Sequence, residues 1–197
     1  MVQQRTMELA KRSEELEIAL QNVQQANKKL EVLAVMDELT GLYNRRAFMT
    51  ITKQNIELKN RKKSDVLLVF FDLDGLKQIN DNFGHSSGDI AIKAFSDILS
   101  KTFRKSDIIA RLGGDEFTVL AIDCTIKEYN TILKRIDKSI NEYNLKSGNK
   151  FKLAMSSGAA PCKDSDQCTI ENLMEEADAE LYKAKRKKKN TRDKISP

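Results

Sequence analysis

The chain has 197 residues, 40% apolar and 32% charged, enough for one ordinary domain plus an additional element. No apolar run approaches the roughly 18 residues a membrane-crossing helix needs, and the polar amino terminus does not read as a signal peptide. The net charge of +5 does not mark a nucleic-acid binder: residues 183–197 hold eight of the 34 basic side chains and one of the 29 acidic ones, and the remainder is slightly acidic. The three cysteines, Cys124, Cys162 and Cys168, lack paired metal-ligand spacing and read as reduced thiols of a cytoplasmic protein.

Residues 1–35 contain neither Gly nor Pro, and Val2, Leu9, Leu16, Val23 and Leu30 recur at every seventh position, with Ala19, Ala26 and Leu33 as a weaker companion series. That seam predicts a long helix forming a parallel coiled-coil homodimer; the alternative is a single helix packed on its own domain. Because the chain opens directly in helix, an upstream sensory region of a larger sensor protein is expected to precede it. The expected division is residues 1–35 as signalling helix, 36–190 as the main domain and 191–197 as a tail.

Residues 44–60 read as a helix ending in the basic turn "NRKKS", and "DVLLVFFD" (65–72) as a buried strand ending on a carboxylate. "LKQINDNFG" reads as a short helix or turn and "GDIAIKAFSDILSKTF" as an amphipathic helix. "DIIARL" and "EFTVLAI" flank Gly113 and Gly114 as two strands of a hairpin, since a tight turn needs positive φ angles. Residues 126–146 are expected to be helical, "FKLAMSSGAA" (151–160) a strand, and "TIENLMEEADAELYKAKRKK" the last helix. Interleaved helices and strands with one obligatory hairpin predict an α/β (α+β) fold, a central mixed or antiparallel sheet flanked by helices.

Asp72 ends one strand and Asp115 sits in the hairpin turn. If the strands are neighbours, the two carboxylates converge at one end of the sheet. Mg²⁺ is commonly held by one or two carboxylates, with water and substrate phosphates completing its shell. A glycine pair beside them leaves room for a phosphorylated ligand. A solvated hairpin with incidental acids is the plainer reading of this feature taken alone.

Five segments occur in the order and spacing of one family: "DELTGLYNRRAF", "FFDLDGLKQINDNFGHSSGD", "RLGGDEF", "SSG" and "ADAELYKAKRKKKN". Over residues 36–190 the chain resembles the diguanylate cyclase, or GGDEF, domain family. The resemblance implies a palm-like sheet, similar to polymerase palms and class III nucleotide cyclases. It also implies condensation of two GTP into cyclic di-GMP with release of two pyrophosphates. Each domain would bind one GTP, and two facing domains would complete the site.

Carried over by position, Asp72, Asp115 and the Leu73 carbonyl resemble the metal ligands, for Mg²⁺ or alternatively Mn²⁺, two ions per GTP. Glu116 joins the metal shell or helps accept the proton. Asn80 and Asp89 resemble the guanine readers: a carboxylate accepts from N1–H and N2–H₂ while an amide donates to O6. His85, the only histidine, either contacts the nucleotide or shapes the "GHSSGD" loop. Lys185 and Lys189 would neutralise the β- and γ-phosphates, aided by main-chain N–H groups around Gly75 and Leu76; Lys77 lies near phosphate or is simply solvated. Arg104 and Asp107 match the family's inhibitory RxxD site for product, with Arg135 as a second arginine.

The chain departs from the family pattern at Leu76, usually aromatic, and at Lys188 and Lys189, usually Gly-Arg. Lys189 keeps the charge without the planar fork of arginine, and Lys188 in place of glycine lets the last helix run on. The rival reading is a catalytically silent receptor for cyclic di-GMP. Nucleic-acid and membrane partners are not expected.

Overall fold

The computed structural model describes residue 16 and residues 19–23, 34–62, 65–162 and 168–193. The chain divides into two compact units, residues 1–36 and 37–197. In the first, Leu16 and residues 19–23 are helical, with Leu16, Leu20 and Val23 exposed. The remaining seam positions Val2, Leu9, Ala26, Leu30 and Leu33 lie outside the described residues.

The second unit is a five-stranded sheet with helices on both faces. Its strands are β1 (Tyr43–Asn44), β2 (Val66–Leu73), β3 (Ile108–Gly113), β4 (Glu116–Ile122) and β5 (Met155–Pro161), in the order β1-β3-β4-β2-β5. Only β1 and β3 run parallel; β3–β4, β4–β2 and β2–β5 are antiparallel, so the sheet is mixed. The helices are α1 (Arg45–Lys62), α2 (Leu76–Phe83), α3 (His85–Thr102), α4 (Ile126–Lys146) and α5 (Ile170–Asp193).

β2 is buried at all eight positions because both of its faces are covered, which is why its sequence is a continuous apolar run rather than an alternation. Leu67, Val69, Phe71 and Leu73 face a core with Ile79, Phe95, Leu99 and Ile136. Val66, Leu68 and Phe70 face the opposite core with Phe48, Ile56, Leu173, Ala177 and Leu181. Helices α2, α3 and α4 therefore pack on one face, and α1 and α5 on the other. Phe71, Phe95, Phe103 and Phe117 interlock edge to face, with ring centroids 5.1 to 6.2 Å apart. Burying each such side chain contributes roughly 1.5–3 kcal/mol, and Phe71 and Phe117 immediately adjoin Asp72 and Glu116.

Three local expectations change. The strand read over 151–160 begins only at Met155, because Asn144 on α4 engages both the N–H and the carbonyl of Leu153 at 2.7 and 2.8 Å. β1 was not anticipated; two residues are too short for a periodic signal, and only the pairing with β3 creates it. Cys162 and Cys168 form a disulfide, their Cα atoms 5.7 Å apart, so two of the three expected free thiols are paired. The end of β5 and the start of α5 meet in space, which linear spacing did not reveal. Cys124 is a free, buried thiol, and burial pushes its pKa up to about 11.

β5 is an edge strand, and edges invite unwanted pairing. Here Pro161 supplies no N–H, and the Lys188 ammonium, reaching back from α5, donates to the Met155 carbonyl.

Candidate functional site

The β3–β4 hairpin turns at Gly114 and Asp115, between the paired residues Gly113 and Glu116. Both glycines have positive φ, +149° and +51°, which side-chain-bearing residues rarely adopt. The turn is braced from outside. Arg111 Nε and Nη2 donate to the Gly114 carbonyl at 3.0 and 2.9 Å, while Nη1 reaches both Asp37 carboxylate oxygens at 3.2 Å. Asp37 also accepts from the Thr40 N–H and hydroxyl at 3.0 and 2.7 Å. The "DELTG" loop is thus fastened to the glycine turn through one guanidinium.

Burial alone would raise the Asp37 pKa, yet the Thr40 hydrogen bonds and the Arg111 guanidinium hold it below its ordinary 3.8. A depressed carboxylate contributes stability above its unfolded value and loses it as pH falls through the folded one. Asp37→Asn is therefore expected to cost roughly 1.5–3 kcal/mol near neutral pH. The deficit should shrink as pH drops below 3.8. Denaturant midpoints across pH check this, and a gap that persisted into strong acid would refute it.

At the end of β2, Leu73 N–H donates to the Asp115 carbonyl at 3.0 Å. That makes Asp72 and Glu116, directly opposite, a non-hydrogen-bonded pair, the kind in which side chains approach most closely. Asp115 is near enough that its charge is felt at Asp72. Burial pushes the Asp72 carboxyl above its ordinary 3.8, and Asp115 and Asp74 push the same way, against the Lys185 ammonium. Lys185 Nζ lies 2.5 Å from Asp72 Oδ2, and Lys188 Nζ lies 2.9 Å from Asp74 Oδ2.

Each residue of the "SSG" segment in β5 has a separate task. Ser156 Oγ donates to Asp74 Oδ1 at 2.7 Å. Ser157 Oγ accepts from the Tyr129 hydroxyl at 2.9 Å, tying α4 to the edge strand. Gly158 lets α5 lie directly on the sheet: a Cβ there would stand 2.1 Å from Leu181 N and 2.3 Å from the Ala177 carbonyl.

Beyond β2, Gly75 takes a left-handed conformation at φ +77° and opens α2, with the Leu76 side chain buried and Lys77 exposed. No side chain caps this helix start, which leaves main-chain N–H groups of its first turn available to an anion. Asn80 on α2 lies against Gly88 on α3, where a Cβ would be 1.9 Å from Asn80 Oδ1. Asp89 follows Gly88 and is exposed; His85, also exposed, opens α3. Lys189 is exposed near the end of α5, which continues through Lys188 to Asp193.

Among the described residues no three Asp, Glu, His or Cys side chains form a cage. The donor set nonetheless suits Mg²⁺, which uses few protein carboxylates and leaves positions for phosphate oxygens. The ammonium seated on Asp72 marks where a cation is favourable. Lys185, expected on phosphate, pairs here with this carboxylate. The sequence reading passed over Asp74, Ser156, Arg111 and Asp37 as working residues, although all four lie inside the motifs it quoted.

Arg104, Asp107 and Arg135 line one cavity of about 260 Å³, together with Cys124 and Glu128. Asp107 accepts from the main-chain N–H groups of Arg104 and Ile122 at 2.8 and 3.1 Å. Arg135 Nη2 donates to the Thr102 carbonyl at 2.8 Å.

The family model for "Diguanylate cyclase, GGDEF domain" matches residues 34–191. The chain belongs to the GGDEF family. This GGDEF chain is 34% identical over 163 residues to the probable diguanylate cyclase DgcC of Escherichia coli K12, a match covering 83% of this chain and 44% of the relative. It is 35% identical over 170 residues to the diguanylate cyclase DgcS of Shewanella oneidensis, covering 86% and 55%. It therefore spans about half the length of these relatives. Among solved structures it resembles the coiled coil and GGDEF domain of DgcB from Caulobacter crescentus in complex with c-di-GMP. That match has a TM-score of 0.80 and 25% identity, and covers 90% of this chain and 94% of that one. The mixed sheet flanked by helices is the fold of GGDEF domains. Among the described residues no helix is long and apolar enough to cross a membrane.

Proposed function

We propose that this GGDEF domain is a diguanylate cyclase, joining two GTP into cyclic di-GMP and two pyrophosphates between two facing copies. The observation that carries the reading is the convergence of Asp72 and Asp115 beside a glycine turn, with the Lys185 ammonium paired to Asp72. Asp72, Asp115 and the Leu73 carbonyl would hold Mg²⁺, or Mn²⁺ in its place, with Glu116 in the metal shell or as proton acceptor. The bound ions screen phosphate charge and make the attacking hydroxyl more acidic. The protein's own groups do the rest. The free N–H groups at Gly75 and Leu76 hold phosphate oxygens, with Lys77, Lys185 and Lys189 as cations. Asn80 and Asp89 read guanine, and His85 opens the helix that carries Asp89.

Each 3′-hydroxyl must attack the α-phosphorus of the nucleotide on the other copy, so a single domain holds half a site. Dimerisation through the heptad seam of residues 1–35 would raise the effective concentration of the second half. Incubation with GTP and Mg²⁺ followed by separation of products tests the reading. Cyclic di-GMP, formed at a rate per chain that falls on dilution, is the expected result. A single-nucleotide cyclic product would overturn it.

Gly88→Ala should drive the Asn80 amide from its place. The KM for GTP is expected to rise about tenfold or more with little loss of stability, the loss of one base-reading contact being worth roughly 1–3 kcal/mol. An unchanged KM would remove Asn80 as a guanine reader.

The cavity of Arg104, Asp107 and Arg135 supports product inhibition, because planar guanidinium groups suit both guanine and phosphate. Arg104→Ala is expected to shift the inhibition curve for added cyclic di-GMP about tenfold upward. An unshifted curve would exclude the site. The same cavity favours a second reading, a silent cyclic di-GMP receptor, which predicts product binding with no turnover.

A further inference from the structure

Lys185 and Lys188 stand three residues apart on α5, hence on one helix face, and Asp72 and Asp74 stand two apart, one at the end of β2 and one in the turn just beyond it. The spacings match, and the helix is stapled to the strand end by two ion pairs. The pairs are not equivalent. Lys188 is shared between Asp74 and the Met155 carbonyl, and Asp74 is further held by Ser156 Oγ at 2.7 Å and by its own N–H to the Ala154 carbonyl at 2.9 Å. That contact does not involve Asp72. Lys185 instead sits on Asp72, the carboxylate beside Asp115, where a divalent ion would compete directly for the same oxygen.

We infer that Lys185 is an exchangeable counterion. It neutralises Asp72 while the site lacks metal, and yields that oxygen when metal and nucleotide arrive. Its flexible four-carbon stem then carries the ammonium to the triphosphate, while Lys188 keeps α5 fixed on the sheet. Metal and nucleotide binding become mutually reinforcing: the ion liberates a phosphate-binding cation, and the phosphates give the displaced ammonium a new partner. Linkage makes the coupling equal in both directions. The inference rests on the reading of Asp72 as a metal carboxylate and extends it to how the site is filled.

The effect of removing Lys185 should change sign with the ligand. Mn²⁺ binding is followed by the electron paramagnetic resonance of the free ion, with the full chain, first alone and then with a non-hydrolysable GTP analogue. For Lys185→Met, Mn²⁺ alone is expected to bind about fivefold tighter, the upper range for a partly exposed ion pair. Mn²⁺ with the analogue is expected to bind about tenfold more weakly, through loss of a charge-assisted phosphate contact. Lys185→Arg, which keeps the cation, should bind Mn²⁺ alone as the wild type does. Unchanged or weaker binding of Mn²⁺ alone by Lys185→Met, with Lys185→Arg at the wild-type value, overturns the exchange but leaves the cyclase reading standing. A wild-type protein that binds no Mn²⁺, with or without the analogue, removes the metal reading and the exchange together.

Discussion

Asp115→Ala should reduce the rate of GTP turnover about a thousandfold while leaving the fold intact: on the proposed reading its carboxylate holds the metal, and loss of one transition-state charge stabiliser commonly costs a factor of about 10²–10³. The turn does not need the carboxylate to form. Its geometry comes from the positive φ of Gly113 and Gly114, the Arg111 hydrogen bonds to the Gly114 carbonyl, and the Asp115 main-chain carbonyl received by Leu73 N–H. Removing the Asp115 charge also relieves repulsion on the buried Asp72, so thermal stability is expected to hold or rise slightly. Product formation measured beside a thermal melt separates the two effects. Retained turnover would remove Asp115 from the chemistry, and a collapsed melt would make its role architectural.

The second large effect is expected from backbone packing rather than from charge. In Gly158→Ala the new methyl would meet the Leu181 nitrogen at 2.1 Å, the Ala177 carbonyl at 2.3 Å and the Glu180 carbonyl carbon at 2.8 Å. All three are backbone atoms of a packed helix and cannot rotate aside, so α5 must lift from β5. A loss of about 3 kcal/mol or more is expected, at the upper end for overpacking. Turnover should fall with it, because the same helix carries Lys185 and Lys188 to Asp72 and Asp74. Denaturant unfolding checks the first part. A melting temperature within roughly a degree of the wild type would mean that α5 does not lie on the strand so closely.

These two variants show how differently the parts of the site were legible. The acids at Asp72 and Asp115 could be seen as a carboxylate pair beside strand ends because β2 and β4 announce themselves as apolar runs, and the glycine pair as a turn because few other residues adopt positive φ. The helices α3 and α4 were legible as amphipathic runs and α2 only as a short helix or turn, and the five motifs located the family. Gly158 was quoted within "SSG" but carried no visible reason, since the atoms it must avoid lie on a helix some twenty residues later. Arg111 and Asp37 are separated by 74 positions, and no local pattern links them. The Cys162–Cys168 disulfide and the short strand β1 were missed on similar grounds: each exists only because two segments meet.

Local order along the chain was enough to establish which of the longer stretches are helix or strand, which turn needs glycine, and which carboxylate ends a buried strand. Those properties depend on side-chain shape, polarity and backbone freedom over a few neighbouring residues. Which cation sits on which carboxylate was settled only when α5 packed across β5 and β2. Lysine reach is a few ångströms, so its partner is chosen by the packing of Gly158 against α5 rather than by any spacing along the chain. Seated there, Lys185 meets Asp72 and Lys188 meets Asp74, an assignment that exists only in three dimensions.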